Sequence, residues 1–297
     1  MDKHLITALL LLATCTCIGK PALAKDRPLV GVANDAELTP PRPGNGYWSD
    51  AKPRLFLSTH SELGLPYAKP YFSAGYGTPH WIWAGVDVNA IATPEFWQGY
   101  FGLRAATPIL DLAFGARDTG SFDKPFITPA PLLTRDLVRA HAGPRAHYWA
   151  WEAEIVATAP LPHSALVADL IVVRTLDVPA GRYVFEESYR AVVKNPQFFV
   201  LRWAAVARLG NENALKLAVL TECVFGTGRG QAVWRIGPAG ALQLTDHLEA
   251  VAGLTLNVAG PDSLGLVLGA YGVAGLRYRW ATGEKKPALP WSGVLIP

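Results

Sequence analysis

From Leu248 to Trp280 the chain alternates apolar and non-apolar residues twice, with Gly260-Pro261-Asp262 between the two runs. Leu248, Ala250, Ala252, Leu254, Leu256 and Val258 share one face, against Glu249, Gly253, Thr255 and Asn257. Leu264, Leu266, Leu268, Ala270, Ala274, Leu276, Tyr278 and Trp280 share a face in the second run. Successive side chains of a strand point to opposite sides, so this period of two predicts strands with one greasy surface. Their length exceeds the common strand of ~5–6 residues. It suits the ~9–11 tilted residues that cross a bilayer.

The same pattern recurs upstream. Ile82, Ala84, Val86, Val88 and Ala90 oppose Asp87 and Asn89. Trp97, Phe101, Leu103 and Ala105 oppose Gln98, Tyr100 and Arg104, and Leu110, Leu112 and Phe114 oppose Asp111 and Arg117. Trp149, Trp151, Ala153, Ile155 and Ala157 oppose Glu152 and Glu154, while Leu166, Ala168, Leu170 and Val172 oppose Asp169. Tyr183, Phe185 and Tyr189 oppose Arg182, Glu186, Ser188 and Arg190. Phe199, Leu201, Trp203, Ala205, Ala207 and Leu209 oppose Arg202 and Arg208, and Leu215, Leu217 and Val219 oppose Lys216 and Glu222. A further run begins at Ala232, Trp234 and Ile236, and Gly237 to Gly240 reads as a turn that interrupts it. Pro, Gly and Asn clusters separate the runs as hairpin turns do. Glu187 and Asp246 fall on faces that otherwise read as apolar. The sum is about twelve strands, with Leu132 to Arg139 as a short turn of helix.

Met1 to Ala24 has a polar start, an apolar stretch from Leu5 to Cys17 and Ala22-Leu23-Ala24, the three-part pattern of a cleaved secretory leader. Thr14 and Thr16 fit a lipid-modified cysteine poorly. Loss of the leader takes Asp2, Lys3 and Lys20 with it, and the formal charge falls from +3 to +2. That near-neutral balance speaks against a nucleic-acid partner. Cys223 is then left alone, so no internal disulfide is expected. Residues 25–67 are rich in proline and read as an irregular periplasmic segment holding one short strand, Arg54 to Thr59. Residues 68–297 read as the barrel.

Alternation alone suits a soluble sandwich as well as a membrane barrel. Long apolar faces, aromatics near strand ends (Trp81, Trp83, Trp97, Tyr148, Trp149, Trp151, Tyr278, Trp280) and an inner face of arginine with glutamate or aspartate favour the barrel. The fold class expected is therefore all-β: an antiparallel up-and-down transmembrane β-barrel of about twelve strands. Over roughly Ala68 to Trp280 the chain resembles, in architecture and without a family motif, the porin-like outer-membrane β-barrel proteins of Gram-negative bacteria. In such proteins the last strand often ends on an aromatic residue, as Tyr278 and Trp280 would here. The chain continues past them, so Leu289 to Ile296 reads either as a further strand or as a tail. The resemblance implies outer-membrane lipid and the barrel assembly machinery as partners, with a small solute as a third.

The expected lumen network is Glu152, Glu154, Arg182, Glu186, Arg190, Arg202, Arg208 and Glu222, a charge ladder rather than a catalytic set. It implies a narrow channel or solute-binding pore, in which Arg190, Arg202 and Arg208 would favour anions. An outer-membrane lipid-modifying enzyme and a soluble periplasmic β-sandwich binding protein are the alternatives. For the enzyme, His163 and Ser164 are strand neighbours facing opposite sides, and Gly-x-Ser-x-Gly is absent. His141, His147, His163 and His247 lack metal-ligand spacing, so no metal and no cofactor are expected. The strand glycines read as packing sites beside Tyr100 and Tyr271. Residues 118–144, the one long connection, either extend two strands or fold inward.

Overall fold

Hydrogen-bonded hairpins join each run to the next, and the last run pairs back onto the first. The computed structural model describes residues 53–139, 144–161, 163–209 and 215–283. The leader, residues 25–52 and Leu289 to Ile296 lie outside the described residues. The first stave of the barrel is β1 (Arg54–Thr59) continued by β2 (Glu62–Leu65), and the second is β3 (Ala68–Lys69) continued by β4 (Tyr71–Thr78). Staves three to seven are β5 (Ile82–Ala92), β6 (Phe96–Ala106), β7 (Leu110–Pro125), β8 (Arg145–Leu161) and β9 (Ser164–Thr175). A separate hairpin, β10 (Tyr183–Glu186) and β11 (Ala191–Lys194), precedes β12 (Gln197–Leu209), β13 (Leu215–Phe225), β14 (Val233–Gln243) and β15 (Leu248–Ala259). The twelfth stave is β16 (Tyr271–Tyr278) with β17 (Trp280–Ala281).

All pairings between these strands are antiparallel. The ring closes where Arg277, Leu276, Gly275 and Ala274 of β16 face Glu62, Leu63, Gly64 and Leu65 of β2, and where Ala281 of β17 faces Ser58 of β1. This is a closed twelve-strand antiparallel barrel. The first stave begins at Arg54, so residues 54–67 belong to the wall and not to the irregular segment expected there. Pro53 precedes this stretch and Pro66 falls in the turn after β2, where no ladder donor is needed.

The alternation sorts the side chains. Leu57, Phe72, Phe101, Leu103, Phe114, Trp151, Leu166, Val219 and Leu254 are exposed on the outer surface, while Asp87, Arg117, Asp169, Arg202, Lys216, Arg235 and Glu249 are buried inside. A closed wall leaves no edge of unpaired backbone groups, which hydrocarbon could not hydrate. An apolar belt outside and ionised groups inside is the arrangement of an outer-membrane-type barrel. Trp97, Trp149, Trp151, Tyr278 and Trp280 face outward as expected. Trp83 and Tyr148 do not: both are buried, and Trp83 meets Phe56 edge-on at 5.4 Å.

Three runs depart from the strand reading. Tyr183 to Arg190 is not a stave; β10 and β11 form a two-stranded sheet apart from the wall ladder, and both of their faces are buried, so alternation there carries no wall signal. Glu187 lies in that hairpin, which explains its apparent misplacement. Gly237 to Gly240 is no turn, since β14 runs straight through it with Pro238 opposite Val219. The ladder to β15 instead skips Gly237 and Pro238, consistent with a residue that has no N–H to donate. Finally, Gly265–Gly269 is a short helix, α2. Leu264 and Leu268, four apart, are buried while Leu266 is 74% exposed, a helical spacing hidden inside an apparent period of two.

The two barrel ends differ. The end bearing the first and last wall residues has short turns at 79–81, 107–109 and 244–247. The other end carries helix α1 (Arg135–Val138), the β10–β11 hairpin and α2. Of the described residues in 118–144, those to Pro125 lengthen β7, and Ile127, Leu133 and Val138 pack over the hairpin at the mouth. Short turns on one side and long connections on the other are usual for outer-membrane barrels, with the short turns periplasmic.

Glycine makes room for aromatics in the wall. A Cβ on Gly115 would lie 2.4 Å from the Phe101 carbonyl oxygen and 2.7 Å from both Gly102 Cα and the Tyr100 ring. Gly115→Val is therefore expected to cost roughly 1–3 kcal/mol through overpacking. The wild type should migrate faster unheated than boiled in a detergent gel, and the variant should lose its fast band at a lower temperature. An unchanged melting profile would remove the packing role of Gly115.

Candidate functional site

The loop-bearing mouth is filled by chain. On the barrel side, Val184, Tyr189, Ala191 and Val193 of the hairpin region pack against Ala146, Tyr148, Ala150, Ile171, Val173, Phe198, Val200, Val224 and Val233 of the wall. On the outer side, Tyr183, Phe185 and Val192 pack under Ile127, Leu133, Val138, Leu264 and Leu268. The backbones of Ile127 and Tyr183 exchange hydrogen bonds of 2.8 and 2.9 Å. The plug is thus one dry layer from α1 and α2 down to the lumen.

Its lower rim is polar. Arg117 Nη2 donates to Glu186 Oε2 at 2.8 Å, and the Tyr148 hydroxyl donates to the same oxygen at 2.6 Å. The other arm of Arg117, Nη1, lies 3.0 Å from Glu152. Arg190 pairs with Glu95, and Arg235 Nη2 donates to the Arg190 carbonyl at 2.8 Å. Ser188 donates to Gln98 at 2.7 Å. The Tyr189 ring sits between two guanidinium groups, 5.8 Å from Arg117 and 5.1 Å from Arg202. Glu187 accepts from Ser121 at 2.8 Å and lies 3.0 Å from the Lys124 ammonium. It stands in the hairpin, outside the membrane-spanning staves, and burial outweighs Lys124 to push its carboxyl up to about 7.

Below the plug lies a cavity of about 240 Å³, reaching from Ser188 and Tyr189 at the hairpin to His80, Trp81, Thr107, Pro108 and Thr158 at the short-turn end. On one side Arg104 binds Asp111 with both arms at 2.8 Å and reaches Asp87 at 3.2 Å and Glu154 at 3.8 Å. The Tyr71 hydroxyl donates to Asp87, and Arg104 Nη1 donates to that hydroxyl at 2.7 Å. Arg202 donates to Glu222 at 2.7 Å and lies 3.8 Å from Asp169, while Arg235 donates to Glu222. On the other side Arg277 donates to Glu62 at 2.6 Å and to Glu249 at 3.1 Å. Lys216 at 2.9 Å and Arg279 at 3.5 Å also hold Glu249.

Of the residues expected in the lumen, Glu152, Glu154, Glu186, Arg190, Arg202 and Glu222 join this network, and Arg208 is buried beside it. Arg182 does not. It is exposed at the base of the hairpin and donates to Thr128, because its run is not part of the wall. Arg190 and Arg202 hold carboxylates, which offsets the positive lumen field expected of them. Glu62 escaped the sequence reading because its stave lay hidden among prolines. Asp87, Arg104, Asp111, Arg117, Asp169, Lys216 and Glu249 had the inward signal, but alternation does not say which inward charges meet. Among the described residues no group of three or more His, Cys, Asp or Glu is placed to hold a metal ion. His147 faces outward, 2.8 Å from Asp118.

No family model matches the chain, and no curated protein matches it. Solved chains similar to it include the beta domain of the Bordetella autotransporter Brka, at 14% identity and a TM-score of 0.36, covering 77% of this chain and 99% of that one. A loop-deletion mutant of OmpT, an outer membrane protein of Vibrio cholerae, is 9% identical with a TM-score of 0.35 over 77% of this chain and 99% of that one. A porin is 8% identical with a TM-score of 0.34, over 71% of this chain and 62% of the porin. At these values each is a likeness to other barrels, and the fold rests on the ladder closure described above.

Two outcomes follow from the plug. Arg117→Met leaves Glu186 and Glu152 without their guanidinium and should cost about 3–5 kcal/mol, read as a lower urea midpoint in lipid vesicles. The double variant Arg117→Met/Glu186→Gln should recover part of that loss, and an undiminished loss would mean the two residues are not coupled. For Glu187, the folded pKa near 7 lies above the ordinary glutamate value of ~4.3. The folded state therefore holds the proton more tightly, and the plug loses stability as pH rises between those values. Hairpin amides should exchange more slowly at pH 5.5 than at pH 8 after correction for intrinsic rates, and Glu187→Gln should abolish the difference. An equal difference in the variant would clear Glu187 of the effect.

Proposed function

We propose that this chain is an integral outer-membrane protein of a Gram-negative bacterium, exported by a cleaved leader, whose lumen is a blind solute-binding chamber rather than an open channel. One observation carries the reading: the β10–β11 hairpin is buried on both faces inside the loop-bearing mouth. An ion entering from the short-turn side would meet Tyr189 and the Arg117–Glu186 pair, backed by the apolar contacts of the hairpin, where a hydrated charge is costly. The chamber below is lined by ionised and aromatic side chains and reaches the short-turn end, the periplasmic side of such a barrel. Small barrels commonly fill their interior with side chains or hold one small ligand.

The soluble sandwich is set aside by ring closure. A lipid-modifying role would need a nucleophile and base presented to the membrane, and the dense ionic groups lie inside instead. The channel reading survives only if the plug moves. Planar-bilayer recording distinguishes the two: purified wild type should be electrically silent, and replacing Tyr183 to Lys194 by a short Gly-Ser linker should open steady conductance steps. A wild type that conducts continuously, at the level of its plug-less variant, would sink the chamber.

A further inference from the structure

The chamber holds an acid and a base, Asp169 and Lys69, whose cross-strand neighbours Arg202 and Glu62 are each committed to another group. Asp169 is 1% exposed, lines the cavity and makes no side-chain hydrogen bond among the described residues; its Oδ1 is buried and unpartnered. Its one ion-pair contact is Arg202 at 3.8 Å, and that guanidinium is committed to Glu222 at 2.7 Å. Glu152 and Glu154 line the same wall and add negative charge to it. Across the lumen, half-buried Lys69 also lines the cavity; it stands opposite Glu62 in the ladder but makes no ion pair within 4 Å among the described residues. The carboxylates nearest it are bound elsewhere, Glu62 to Arg277 and Tyr67, and Glu154 toward Arg104. Lys69 stands on the second stave and Asp169 on the seventh, five apart in a ring of twelve, so the wall holds them on different sides.

An unpaired ionised group in a low-dielectric site is costly, and two of opposite sign in one cavity call for a partner that answers both. The lining carries five carboxylates and five lysine or arginine cations. A ligand with net charge would upset that balance, whereas a neutral one carrying separated charges would complete it. The volume of about 240 Å³ corresponds to roughly eight waters at ~30 Å³ each, below the ~300–1,000 Å³ of drug-sized sites. We infer that the chamber binds a small zwitterion of the amino-acid class, its ammonium on Asp169 beside Glu154 and its carboxylate on Lys69. This assignment rests on the chamber reading and names its ligand class.

The test uses the full chain in detergent and four matched probes: 4-aminobutyrate, butylamine, butyrate and butyramide. Calorimetry supplies affinities, and fluorescence of Trp81 and Trp83, both in the lining, reports occupancy. 4-Aminobutyrate should bind at least about tenfold more tightly than the other three, the worth of one charge-assisted hydrogen bond. Asp169→Asn should bring its affinity down to that of butyrate, Lys69→Met down to that of butylamine, and Lys69→Arg should keep the preference. Butylamine or butyrate binding as tightly as the zwitterion would overturn the assignment, as would silence from all four probes or an intact preference in both neutral variants. If a variant fails to close its barrel, the wild-type panel still decides. A silent bilayer with no probe binding rejects the zwitterion alone, while a conducting wild type rejects the chamber beneath it.

Discussion

The pairing of the last wall strand with the first is the constraint on which everything else rests. Between Arg277 and Glu62, and again between Ala281 and Ser58, the sheet meets itself, and the described wall is left without an open edge strand. In hydrocarbon an open edge would leave a row of amides without partners, each costing several kcal/mol. Closure also fixes what the two faces must be. The outer face can be apolar because lipid receives it, and every ionised inward residue is then confined to a narrow interior with the others.

Confinement explains why the interior is organised as shared ions rather than simple pairs. Arg104 serves Asp87, Asp111 and Glu154; Arg117 serves Glu152 and Glu186; Glu249 serves Lys216, Arg277 and Arg279. Arginine suits this work because its planar fork presents several donors in fixed directions. Such networks are weak contributors to net stability but strict about geometry, since removing one member strands another. Here they cross from stave to stave and, through Glu186, Glu187 and Arg190, from the wall to the plug.

The plug joins two kinds of contact. Its hairpin is held by apolar contacts on both faces and by charges along its lower rim, so its position depends on two kinds of interaction at once. That sets a largely apolar layer at one mouth above a cavity lined by ionised and aromatic side chains. A barrel built this way presents a different surface to each side of a membrane while keeping the same outer belt.

Much of the wall was legible in the sequence. Strand side chains alternate strictly, so the runs at Ile82, Trp97, Leu112, Trp151, Leu166, Trp203, Leu217 and Leu254 announced both their strands and their faces. The pattern failed where that rule does not apply. Tyr183 to Glu186 alternates but is buried on both sides, Leu264 and Leu268 satisfy periods of two and four alike, and Pro238 looks like a stop yet sits in a strand with one relaxed ladder. The stave from Arg54 to Leu65 was obscured by the flanking Pro53 and Pro66, which lie outside its strands. Sequence by itself determined that a greasy surface and a charged surface alternate along the chain, and hence that a barrel could form. Only the tertiary structure decided that Arg117 meets Glu186, that Arg182 meets neither, and that a hairpin fills the mouth. Those outcomes depend on ring closure and shear, which bring together residues far apart in the chain and leave no trace in local periodicity.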